Sequence, residues 1–139
     1  MHLLDELDVF KFIENILESG KVKHIGFSFH GDKELFKDIV DMYDWDVCQI
    51  QLNFLDEKHQ AGLEGLKYAA ARDIPVIIME PLRGGALVNN VPQGVNELYQ
   101  SFKVKRPPVE WAFLYLYNKP EVAVILSGVS NIEQLDQNI

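Results

Sequence analysis

Val47-Cys48-Gln49-Ile50-Gln51-Leu52-Asn53 reads as a strand, Ala61 to Arg72 as an Ala- and Leu-rich helix that ends before Ile74-Pro75, and Val76-Ile77-Ile78-Met79 as a strand again. Strand, helix and strand in that order make a βαβ unit, which implies parallel strands. The same alternation extends to both sides. Upstream, Val22 to Phe29 reads as a strand, followed by a helix from about Asp32 with Leu35, Phe36, Ile39, Val40 and Tyr43 as its buried stripe. Before it, Val9, Phe12, Ile13, Ile16 and Leu17 recur at helical spacing, with Asp8 as the expected cap and Gly20 as the stop. Downstream come a glycine loop through Gly84-Gly85, a helix near Val95 to Phe102, and another opened by Pro107-Pro108 and closed by Asn118-Lys119-Pro120. Val122 to Leu126 is the last strand, and a final helix begins at Asn131.

Four clear strands alternating with helices predict an α/β fold on a parallel sheet. The unbroken apolar run Val122-Ala123-Val124-Ile125-Leu126 is the pattern expected of a strand covered on both faces. No interior linker or low-complexity segment divides the chain, so residues 1–139 are expected to form a single domain. A complete parallel barrel needs eight strands and typically ~250 residues, more than the chain supplies. A doubly wound dinucleotide fold would carry Gly-x-Gly-x-x-Gly after its first strand, and no such turn is present.

Composition narrows the function classes. The 139 residues are 47% hydrophobic and 24% charged, which suits a globular domain with a real core. A net charge of −8 argues against nucleic acid as a partner, because that affinity rests on Lys and Arg neutralising phosphates. The one basic run, Lys103-Val104-Lys105-Arg106, precedes Pro107-Pro108 and reads as a solvated loop. Neither a membrane span nor a signal peptide is recognisable, so a cytoplasmic protein is expected. The single cysteine, Cys48, reads as a buried small hydrophobe. His24, His30 and His59 lack metal-ligand spacing, and no metal site is expected.

Four segments at the expected strand ends carry a resemblance. They are Gly20-Lys21-Val22-Lys23-His24-Ile25-Gly26-Phe27-Ser28-Phe29-His30; Cys48-Gln49-Ile50-Gln51-Leu52-Asn53; Met79-Glu80-Pro81-Leu82-Arg83-Gly84-Gly85; and Ile125-Leu126-Ser127-Gly128-Val129-Ser130-Asn131 with Glu133-Gln134-Leu135 and Asn138. In this order they resemble the aldo/keto reductases over essentially the whole chain. The resemblance implies the C-terminal half of a (β/α)8 TIM barrel, from a remnant of its fourth strand through its eighth strand and the start of the following helix. With Pro108-Val109-Glu110-Trp111-Ala112, the wording is most similar to a microbial branch that often carries an iron-sulfur segment farther C-terminal. The cysteines for such a segment are not in this chain, so no cluster is expected in it.

That family reduces aldehydes or ketones by hydride transfer from NADPH or NADH, with a proton donor aimed where negative charge develops on the carbonyl oxygen. The catalytic aspartate, tyrosine and lysine belong to the first three strands, outside this chain. By the resemblance His2 is the one catalytic residue present. Ser28 and Gln49 match positions that hydrogen-bond the nicotinamide carboxamide, with Asn53 as a rim neighbour and Met79 where an aromatic commonly stacks. Leu82, Arg83, Gly84 and Gly85 match the loop over the pyrophosphate. Gly128, Ser130, Gln134 and Asn138 match the adenosine end, the last two being four apart on one helix face. Many relatives have a lysine and an arginine where Gly128 and Gln134 stand, so a charge-assisted contact to a 2′-phosphate is missing and the choice between NADPH and NADH stays open. Phe29 likewise replaces a frequent asparagine.

The resemblance therefore implies a fragment of a carbonyl reductase, inactive by itself, that takes a nicotinamide cofactor and, in the full-length protein, a small carbonyl substrate. The alternative is a stand-alone, non-catalytic nucleotide-binding or protein-interaction half-barrel. Half a barrel leaves strand edges and an inner face open, so self-association or pairing with an N-terminal half is expected.

Overall fold

The computed structural model describes residues 6–139. Strands β1 (Gly26–Phe29), β2 (Val47–Gln51), β3 (Val76–Met79) and β4 (Val122–Ile125) form one sheet in the order β1-β2-β3-β4, every pair parallel. Helix α1 (Val9–Glu18) precedes β1, α2 (Lys33–Met42) links β1 to β2, and α3 (Gly62–Ala70) links β2 to β3. Between β3 and β4 lie α4 (Ala86–Asn89), α5 (Gln93–Ser101) and α6 (Pro108–Tyr117), and α7 (Ile132–Asn138) follows β4.

The two faces of this sheet differ. Because side chains alternate along a strand, Phe29, Cys48, Ile50, Val76 and Ile78 point to one side, where Phe36 and Val40 of α2, Leu66 and Ala69 of α3 and Leu116 of α6 complete a buried core. Phe36 lies between Phe27 and Phe29, at ring-centroid separations of 5.8 and 5.2 Å. Burying a large apolar side chain contributes about 1.5–3 kcal/mol, so this layer is where the stability is concentrated. The opposite side carries Ser28, Gln49, Ile77 and Val124 in one register row, and no helix among the described residues covers it. Between the helices, Glu64 of α3 takes both Lys33 and Lys37 of α2, at 2.8 and 2.7 Å. Asp41, Tyr68 and Arg72 make a second bridge between the same pair.

Several sequence expectations are corrected. The first strand starts at Gly26 rather than Val22, because Gly26 is the first residue with a partner, Val47, and the N–H of Ile25 is taken by the Asp46 carboxylate at 2.7 Å. Asp8 does not cap α1 with its side chain; it is left-handed at φ 49°, and its carbonyl accepts from Phe12 instead. Gly20, at φ 69°, does end that helix. Of the first apolar stripe only Ile13 is buried; Phe12 is exposed, as is Leu35 in α2, since no described element packs over those sides. The expectation that Val122 to Leu126 is covered on both faces is overturned: Val124 is 47% and Leu126 44% exposed. β4 is an edge strand, and only Val122 and Ile125 turn toward the core. Helix α4 was not foreseen; Gly85, left-handed at φ 87°, starts it.

Candidate functional site

Parallel strands bring the ends of successive β segments to one rim. On the uncovered face Gln49 stands between Ser28 and Met79: its Nε2 lies 3.2 Å from the Ser28 hydroxyl oxygen and 3.3 Å from the Met79 sulfur. The register Ser28↔Gln49 places the first pair side by side. Met79 is two residues past Ile77, the partner of Gln49, and so is on the same face one step nearer the rim. The Gln49 amide oxygen has no partner among the described residues, which leaves an acceptor beside a hydroxyl, a pair suited to a carboxamide.

Beyond β2 the chain makes a turn around Asn53, the one buried polar residue among those described. Its Oδ1 accepts from the N–H groups of Leu55 and Asp56, both at 3.1 Å, while its Nδ2 donates to Asp56 Oδ2 at 2.9 Å and to the Glu80 carbonyl at 3.2 Å. Asn53 thus acts through the loops it joins. Beyond β3 the segment 80–85 holds four left-handed residues, Glu80, Arg83, Gly84 and Gly85. Its turn uses the N–H groups of Arg83 and Gly85, while those of Leu82 and Gly84 take no partner among the described residues.

This loop is one wall of a cleft of about 580 Å³. Met79, Leu82, Gly84 and Gly85 line it, and the facing wall includes Gly128, Ser130, Gln134 and Asn138 from the segment after β4 and from α7. The second wall is tied together internally. Asn131 caps α7 by accepting from the Gln134 N–H at 2.9 Å, Gln134 Oε1 accepts from the Ser130 N–H at 2.7 Å, and Asn138 Nδ2 donates to the Ser127 hydroxyl at 3.0 Å. A side chain started at Gly84 or Gly128 would meet nothing within 4 Å, so both positions leave the cleft open. No Lys or Arg lines it, and its one carboxylate is Glu80.

The sequence-selected residues therefore gather at one end of the sheet. Met79 connects the Ser28–Gln49 pair to the cleft, and Asn53 and Arg83 stand beside it. His2 lies outside the described residues. Asp56, Ser127 and Asn131 were missed as site residues; the i, i+3 spacing of Asn53 and Asp56 is the signal for the first. Cys48, on the covered face, is buried and its thiol is pushed up to about 12 by burial, which fits an inert core residue. His24 pairs with Asp46 at 3.0 Å, and its ring together with the Ile25 N–H holds that carboxyl below its ordinary value. Among the described residues no group of histidine, cysteine or carboxylate side chains could hold a metal ion, and no helix is long and apolar enough to cross a membrane.

The model of the Aldo/keto reductase family matches residues 3–139. Among solved structures, the holo form of aldo-keto reductase AKR11C1 from Bacillus halodurans superimposes with a TM-score of 0.72 at 22% identity, over 90% of this chain and 46% of that one. The apo form of the same protein gives 0.73 at 21%, over 90% and 47%. At that identity the likeness establishes the fold: four parallel strands and their helices corresponding to part of a TIM barrel. The chain spans about half the length of these solved relatives. No curated protein matches it.

Proposed function

We propose, from the premise that this chain belongs to the aldo/keto reductase family, that it is the dinucleotide-holding part of an NAD(P)H-dependent carbonyl reductase, inactive by itself. The observation that carries this reading is the continuity from the Ser28–Gln49–Met79 cluster into the cleft between segment 80–85 and α7. The residues fit such a cofactor. Ser28 and Gln49 offer a hydroxyl and a side-chain amide to the carboxamide, and Met79 offers a polarisable surface beside them. Leu82 and Gly84 offer unspent N–H groups to the pyrophosphate next to Arg83 and Gly85. The walls at Gly128, Ser130, Gln134 and Asn138 flank the adenosine. Because no cation lines the cleft, a 2′-phosphate gains no charge-assisted contact there, and NADH is accepted at least as well as NADPH.

When bound, a reduced nicotinamide supplies a hydride to a carbonyl carbon. What this chain contributes is binding and orientation. The tyrosines belong to helices or helix ends, and the hydroxyls of Tyr68 and Tyr115 donate to Asp41 and Glu57 at 2.6 Å. Burial and Glu57 hold Tyr115 above the usual phenol range. Both phenolic protons are thus committed to carboxylates of this chain. The reading keeps a small carbonyl compound as substrate of the full-length protein, His2 as the catalytic residue in this part, the cytoplasm as its place, and residues 1–139 as one domain. It also holds that the open face is covered by further strands, from an N-terminal half or a second copy.

Calorimetric titration with NADH and NADPH, followed by an assay with a panel of aldehydes and ketones, tests this. Weak saturable binding with no turnover is expected. Failure of either dinucleotide to bind at any attainable concentration would overturn the assignment, and turnover by the chain alone would overturn the claim of inactivity.

A further inference from the structure

Asp56 is the residue around which the two rim loops are joined. Its Oδ2 accepts from the Asn53 amide at 2.9 Å and the Gln51 amide at 3.3 Å, and it faces Arg83 Nε at 3.5 Å. The carboxylate is nearly covered, 14% exposed, whereas Arg83 is 55% exposed. Segment 80–85 has two non-glycine residues in the left-handed region, Glu80 at φ 56° and Arg83 at φ 50°. Such conformations persist only where surrounding contacts hold them. Those two residues are the ones the 53–56 turn grips, Glu80 through its carbonyl and Arg83 through its guanidinium. Arg83 itself stands between Leu82 and Gly84, both of which line the cleft.

Arg83 Nε makes an ion-pair contact with Asp56 at 3.5 Å, and the two terminal nitrogens make no hydrogen bond among the described residues. A diphosphate would bring negative charge into a cleft whose walls carry no cation and one carboxylate, Glu80. The cation at the lip then decides whether that charge is tolerated.

We infer that Asp56 is a positioning residue: it fixes the Arg83 guanidinium by its Nε and leaves the terminal nitrogens free for the diphosphate of a bound dinucleotide. The inference rests on the dinucleotide reading above. Asp56 pays in partial repulsion toward the same phosphates, and the amides of Gln51 and Asn53 moderate it by engaging Oδ2. A planar guanidinium fixed at one edge loses less freedom on binding than a solvated one.

The test measures NADH, ADP-ribose and adenosine binding by ligand-observed NMR on the whole chain, for Asp56→Asn, Arg83→Gln and the double variant. Asn retains an acceptor for Gln51 and Asn53, so the turn survives; circular dichroism and the thermal transition check that it does. Each single variant should weaken NADH and ADP-ribose roughly ten-fold, the scale of one charge-assisted hydrogen bond. Adenosine, which has no phosphate, should be unmoved, and the double variant should be no worse than Arg83→Gln alone. Unchanged ADP-ribose affinity in Asp56→Asn, equal loss of adenosine, or additive losses in the double variant would each overturn the positioning role while leaving the dinucleotide site standing. A wild-type chain that binds neither NADH nor ADP-ribose overturns that site and this role together.

Discussion

On the helix-covered side of the sheet Cys48, Ile50, Val76 and Ile78 are fully sealed, and their neighbours in the same strands, Gln49, Ile77 and Met79, remain partly open on the other side. One residue of displacement separates the core from the candidate site. The covered side meets aromatic and aliphatic side chains from α2, α3 and α6, so its contacts are numerous and non-directional. On the open side the Ser28–Gln49–Met79 contacts are few and directional, and they lead to the cleft beyond Met79. A period of two lets one strand serve both purposes, and substitutions on the two faces should separate stability from binding.

The largest effect is expected at Phe36. Its ring is fully buried and touches Phe27 and Phe29, so Phe36→Ala leaves a cavity between α2 and β1. A loss of about 3–5 kcal/mol is expected, because truncation removes both transfer free energy and packing. Urea denaturation followed by circular dichroism measures it. A loss under about 1 kcal/mol, the range of a surface change, would show that the covered face is not where the stability is concentrated.

How legible this division was in the sequence depended on the kind of signal. The β/α alternation was readable because α1 and α2 repeat an apolar stripe and each strand is short and bounded. The covering of β4 was not: Val122 to Leu126 is apolar throughout, and apolarity cannot state whether a layer lies over it. Four residues such as Ala86–Asn89 carry too little period to announce a helix. At the rim, Ser28, Gln49 and the glycines of segment 84–85 were reached through the family resemblance. Asp56 was not, because its importance arises from meeting Gln51, Asn53 and Arg83 at one oxygen atom, and the loop partner is distant in sequence. Likewise Gln134 and Asn138 were placed on one helix face, but the contacts to Ser130 and Ser127 that hold them depend on how the segment after β4 bends.

A smaller effect sharpens the comparison from outside the core. Glu64 is drawn down to about 2 by hydrogen bonds from Lys33 and Lys37, against an ordinary 4.5. A carboxyl whose folded value is depressed adds stability above its unfolded value, and that stability is lost as pH falls from 4.5 through about 2. The pair is half-exposed and screened by salt, so the loss should be modest and smaller still at high ionic strength. Urea midpoints measured across that window should fall for the wild type and less steeply for Glu64→Gln. Equal slopes would mean that the lysine clamp between α2 and α3 contributes nothing in solution.

The smallest effect on stability is expected where the effect on binding is clearest. Gln49→Ala removes two polar contacts, one to a hydroxyl and one to a sulfur, both on a face that no described helix covers. Water can replace what the Ser28 hydroxyl loses, so the urea midpoint should move by no more than about 0.5 kcal/mol in unfolding free energy. The same change deletes the amide expected to meet the carboxamide, and affinity for NADH should fall several-fold while affinity for ADP-ribose, which lacks nicotinamide, stays level. Calorimetry of both ligands on both proteins reads the difference. Equal loss for the two would relocate the contribution of Gln49 from the nicotinamide to the shape of the rim. A large loss of stability would mean that the face is closed in solution by strands that bury Gln49.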